Sequence, residues 1–164
     1  QVILLYTFLI SSIVYSQIDS LYLDLIPNTQ DSIQFSIWEV HNKEMSLPDQ
    51  EEKEYEKELA RETLSKKDQQ LCITNLQNPK SYDKSRALPY HHNLVLSIYK
   101  EGIILTEIRI STMTGNIDID SNLTENYFRS NCSEQMRKVL IILLKKYNFI
   151  ELFDEVELEG IAMN

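Results

Sequence analysis

The segment Leu88-Pro89-Tyr90-His91-His92-Asn93 sets two imidazoles side by side behind a tyrosine. Imidazole titrates near neutrality, so a histidine in a loop could act as a general base, a metal ligand or a pH sensor. Neighbouring residues on a strand point to opposite faces. His91 and His92 can therefore share one surface only if they sit in a turn or loop. Lys80, Lys84 and Arg86, just upstream, are the cations concentrated in this loop. They could clamp an anionic ligand beside the histidines or simply keep a loop soluble. The binding residues expected from sequence are Arg86, Tyr90, His91 and His92. Against a catalytic role stand the remote position of the third histidine, His41, and the ordinary use of paired histidines as solvent-facing or capping groups. An enzymatic version would be a hydrolase or isomerase in which Asp83 or Glu107 orients His91 or His92.

Other chemistry-bearing patterns are weaker. Asp118, Asp120 and Asn122, with Glu125 beyond them, resemble part of an oxygen-ligand calcium loop. Leu123 stands where that loop's sharp turn needs glycine, and Arg129 where its bidentate glutamate belongs. A solvated strand face ending in a turn is the simpler reading, and no metal is expected. The acidic run from Glu51 to Glu62 spaces Glu54, Glu58 and Glu62 one helical turn apart, without a histidine to complete a di-metal motif. Cys72 and Cys132 have no second cysteine or histidine at zinc-ligand spacing. They could form one disulfide, which would stabilise the fold by roughly 4 kcal/mol in the chain-entropy model, or stay as two half-buried thiols. Asn122 and Asn131 each begin an Asn-x-Ser/Thr sequon. No activated nucleophile is readable, and three glycines leave no room for a phosphate cradle, so no cofactor is expected.

The elements that must position these residues follow from periodicity. Ser32 to Val40 alternates Ile33, Phe35 and Ile37 against Ser32, Gln34 and Ser36, the pattern of a half-buried strand. Pro48 and Asp49 announce a surface helix running to about Leu71, its acids gathered in the early turns and its apolar stripe thin. Residues 74–93 read as one long connection. Next comes an antiparallel meander: Leu94 to Tyr99, a turn at Gly102, Ile103 to Thr112, a turn at Gly115, and Asn116 to Asp120. A buried helix follows, with Asn131 and Glu134 at capping-box spacing, an apolar run from Val139 to Leu144, and Asn148 as its left-handed cap. The tail around Val156 and Leu158 could add an edge strand. The expected architecture is α+β: a three-stranded meander plus one or two further strands, packed by a buried C-terminal helix, with a second, acidic helix on the surface.

Composition bounds the rest. The 164 residues carry 16 Lys and Arg against 25 Asp and Glu, a net charge of -9, which repels nucleic acid and anionic membrane surfaces. A protein partner, basic in character, or a neutral small ligand fits that balance better. The first charge is Asp19, after an apolar run of secretory length that is too short to span a bilayer as a helix. Residues 1–16 are expected to be a signal peptide cleaved after Ser16, leaving 17–164 as a single secreted or periplasmic domain that meets the membrane only through its leader. The function expected is that of an exported binding or interaction module rather than an enzyme. The alternatives are the histidine hydrolase or isomerase and an inhibitor or immunity-type protein covering a basic partner.

Overall fold

The computed structural model describes residues 23–41, 55–83, 91–125 and 127–162. The expected leader, Arg86 and Tyr90 lie outside them. Among the described residues the architecture is α+β: one seven-stranded antiparallel sheet and two helices. The strands are β1 (Ser32–His41), β2 (Tyr55–Thr63), β3 (Tyr82–Asp83), β4 (Leu94–Lys100), β5 (Ile103–Ile110), β6 (Asn116–Ser121) and β7 (Tyr127–Cys132). Their order across the sheet is β2-β1-β4-β5-β6-β7-β3. The helices are α1 (Lys66–Leu76) and α2 (Glu134–Lys146).

Alternation decides which face is covered. Phe35, Leu96, Ile108 and Ile119 are successive cross-strand partners, as are Ile37, Leu94, Ile110 and Ile117. All eight are buried and join one core with Cys72, Ile73 and Leu76 of α1 and the inner side of α2. Met136, Val139, Leu140, Leu143 and Leu144 form that inner side, at the spacing of a single helical stripe, while Ile142 faces outward at 54% exposure. Phe149 closes the core against Phe35, ring centroids 5.3 Å apart.

The meander matches its expected course. Glu101 and Gly102 both have positive φ, 53° and 77°, which a two-residue hairpin turn with the strands' own twist requires. The end of α2 is a Schellman motif: Asn148 is left-handed at φ 59°, the Phe149 amide donates to the Leu144 carbonyl, and the Asn148 amide donates to that of Lys145. The start of α2 differs from expectation. Asn131 and Cys132 end a strand, β7, and the cap is Ser133, whose hydroxyl accepts from the Met136 amide.

The acidic surface helix expected from Asp49 to Leu71 is corrected. Its residues from Tyr55 onward divide into strand β2 and the start of α1, which begins at the Ser65 cap. Glu, Lys, Ala, Leu and Arg favour helix when considered singly. The outer edge of β1, however, offers backbone groups along its length, and β2 satisfies them over eight rungs from Gln34–Thr63 to His41–Tyr55. Pairing also brings Leu64 into the core at 2% exposure, which a surface helix would not. The long connection is shorter than expected, since α1 extends to Leu76 and the pair Tyr82–Asp83 adds to the sheet edge beside β7. The tail forms turns rather than a strand. Gly160 approaches the β5–β6 turn so closely that a Cβ there would sit 2.3 Å from the Gly115 nitrogen.

Cys72 and Cys132 are both free and buried, the unbridged one of the two states the sequence allows. Each fills core volume as a small apolar side chain, and burial pushes each thiol up to about 12. A second polar cluster ties the helices together. The Asp68 carboxylate, on the first turn of α1, accepts from Lys146 Nζ at 2.6 Å, the Tyr147 hydroxyl at 2.7 Å and the Ser65 hydroxyl. Tyr147 in turn accepts the Ser65 amide at 2.8 Å.

Candidate functional site

Among the described residues, both helices pack on the same side of the sheet, and its other face carries the polar half of the alternation. One rung runs across six strands as Arg61, Ser36, Val95, Arg109, Asp118 and Arg129. The neighbouring rung on that face is Thr63, Gln34, Ser97, Glu107, Asp120 and Tyr127. Three of the chain's five arginines thus share one line across the face.

A groove of about 410 Å³ lies over the join between β1 and β4. Trp38 of β1 and Tyr99 of β4 line it with half-buried aromatic side chains, and Arg61, Glu107 and Arg109 supply charges from the flanking strands. The Trp38 indole N–H donates to the Ser36 hydroxyl at 3.0 Å, which fixes the ring. His91 and His92 line the same groove from the segment just before β4. Asn93 anchors that segment. Its side chain donates to Thr112 Oγ1 at 2.8 Å and accepts the Thr112 amide at 2.9 Å, while its carbonyl accepts the Trp38 amide at 2.8 Å.

The charges come in pairs. Arg61 donates through Nε and Nη2 to Glu58 and through Nη1 to Gln34 Oε1 at 3.1 Å. Arg109 Nε donates to Glu107 Oε1 at 2.6 Å. Asp118 accepts from Arg129 Nε at 2.9 and 3.1 Å and from the Tyr127 hydroxyl at 2.7 Å, with Arg129 stacked 4.9 Å over the Tyr127 ring. His92 Nε2 lies 3.6 Å from Asp118 Oδ2, beyond hydrogen-bond length. Burial holds the His92 imidazole below its ordinary pKa. The Asp118 charge opposes that shift, and Arg109, Arg129 and His91 reinforce it. A neutral imidazole at pH 7 can both donate and accept.

Of the residues expected from sequence, His91 and His92 are therefore in the groove. Glu107, one proposed orienting acid, lies there with them; Asp83, the other, is on the β3 edge, and the carboxylate beside His92 is Asp118. Asp118 is 8% exposed and held by Arg129, so it is not the solvated position the sequence suggested. Among the described residues no group of three His, Cys, Asp or Glu is placed to hold a metal ion. The Asn131 sequon is buried at 7% exposure, whereas Asn122 is exposed in the β6–β7 turn. Sequence reasoning missed Trp38, Arg61, Tyr99 and Arg109 as site residues. The signal available was the polar half of the strand alternation, Glu107 with Arg109 and Asp118 with Asp120.

Compared with known protein families, with characterised proteins and with solved structures, the chain matches none. Among the described residues no helix is long and apolar enough to cross a membrane.

Proposed function

We propose that this chain is an exported binding module whose recognition surface is the face of the sheet opposite α1 and α2. The observation that carries this reading is the groove itself, with aromatic side chains, two histidines and arginines already held by acids. Such groups are set for recognition: tryptophan, tyrosine and arginine supply most of the binding energy at interfaces, and fixed rotamers lower the entropy lost on binding. The cysteines do not provide a nucleophile, being buried and protonated at neutral pH. Export rests on the uncharged opening stretch of the sequence. The acidic balance of the whole chain disfavours an acidic partner and fits a basic protein or a neutral ligand.

One observation favours the enzymatic alternative, a hydrolase or isomerase: a neutral His92 in a groove, with a carboxylate 3.6 Å away. Asp118 is already committed to Arg129 and Tyr127, which makes it an anchor for those side chains more than a partner for His92. The assignment of this face is tested by crosslinking in cells. A photoreactive residue at position 97, in the groove, should capture a partner that one at Ile142, on the outer side of α2, does not. Equal capture at both positions, or capture only at Ile142, would refute the assignment of this face.

A further inference from the structure

Building on the binding-module reading, we infer that the groove takes a neutral polyhydroxyl ligand, a segment of a saccharide chain. The first ground is charge. Of the charged residues lining the groove, Arg61 is neutralised by Glu58 and Arg109 by Glu107. A phosphate or carboxylate ligand would have to compete with a resident acid at every arginine, and a cationic ligand with a resident arginine at every acid. The cancelling pairs leave no strong net field to attract either ion.

The pairs still leave hydrogen-bonding capacity. A guanidinium has five N–H donors and a carboxylate about four lone-pair sites. Arg61 places three donors on Glu58 and Gln34, so two remain beside a carboxylate that has spare lone pairs. A donor and an acceptor side by side match two adjacent hydroxyls, one accepting and one donating. His92, neutral and lining the same groove, offers both roles in one ring.

The second ground is the pair of aromatic side chains. A pyranose ring has a rim of hydroxyls and a face of C–H groups, and the C–H face is apolar enough to lie on an indole or phenol ring. Trp38 is held for that purpose by its hydrogen bond to Ser36. The volume, about 410 Å³, is in the range of small-molecule sites. Aromatic faces with hydroxyls and paired charges around them suit a ligand that is apolar on its faces and polar at its rim.

The chain has one tryptophan, Trp38, in this groove, so tryptophan-selective excitation follows the emission of a groove residue. The full chain is titrated with a panel of neutral hexasaccharides (gluco-, xylo-, manno- and N-acetylchito-), and in parallel with inorganic phosphate, a triglutamate and a trilysine peptide. The expected result is saturable change with at least one neutral hexasaccharide, its affinity altered less than about twofold between low and high salt because no net charge is neutralised. Calorimetry should then find that affinity reduced at least tenfold in Trp38→Ala and in Tyr99→Ala, both checked for native circular dichroism. If either variant fails to fold, Arg61→Gln serves in its place. Binding of phosphate or a peptide without any saccharide overturns the saccharide assignment and leaves the binding face standing. Silence from every probe, or saccharide binding that these variants leave intact, also overturns the saccharide assignment; the binding face itself falls only if crosslinking at position 97 captures no more than at Ile142.

Discussion

Replacing Asp68 by Asn removes one charge from the cluster that joins the start of α1 to the end of α2. Asp68 is 4% exposed. Burial alone would raise its pKa, but hydrogen bonds from Lys146, Ser65 and Tyr147 outweigh it and bring the carboxyl down from 3.8 to about 2. At about 1.4 kcal/mol per unit, that depression stabilises the folded state by roughly 2 kcal/mol at neutral pH. Because the folded pKa is the lower one, the contribution is complete above pH 4 and is lost as the pH falls through the window from 4 to about 2. Lys146 keeps its side chain 47% exposed, so salt weakens its part, while the bonds from Ser65 and Tyr147 are shielded from it. Urea denaturation at pH 7 should show the Asp68→Asn midpoint lowered by roughly 1 M, taking an m-value of about 2 kcal/mol per M. The gap from the unmodified chain should shrink as pH approaches 2. An unchanged midpoint at pH 7, or a gap that persists undiminished below pH 2, would show that the cluster does not stabilise the helix pair through the Asp68 charge.

For His92, the folded pKa lies below 6.5, so beneath that pH the unfolded chain takes up a proton that the folded chain resists. This residue therefore removes stability as the pH drops from 6.5 toward its folded value and has no such effect above 6.5. An NMR titration of the His92 ring should give a midpoint below 6.5, and Asp118→Asn should lower it further, since the Asp118 charge is the opposing influence; an upward move would contradict the arrangement. Both cysteines, pushed up to about 12 and buried, should resist alkylation in the native protein without reductant, and two thiols per chain should label after unfolding. A mass two hydrogens lighter with no label would instead reveal a disulfide.

Where the local pattern and the tertiary demand agree, the fold was readable in advance. Ile33, Phe35 and Ile37 alternate cleanly, Gly102 and Gly115 supply the positive φ of their turns, and Asn148 caps α2 as its position suggested. β2 escaped because its residues favour helix individually and become a strand only through the unpaired edge of β1, which no local window contains. β7 escaped because Tyr127 to Cys132 lacks an apolar alternation. The site behaves in the same way. The histidines were visible as a doublet, but the groove draws Arg61, Trp38, Tyr99 and Glu107 from four strands, and only the register of the sheet places them together.

Within the sheet, the β1–β2 hairpin and the β4–β7 meander pair along one row, from Ser32–Tyr99 to Ile37–Leu94. The groove straddles that join. Recognition is thereby made conditional on assembly: a chain whose hairpin has come loose loses Ser36, Trp38 and Arg61 from the lining, and an occupant touching both pieces would hold the seam shut. Partial opening of this molecule and loss of its recognition surface would be one event.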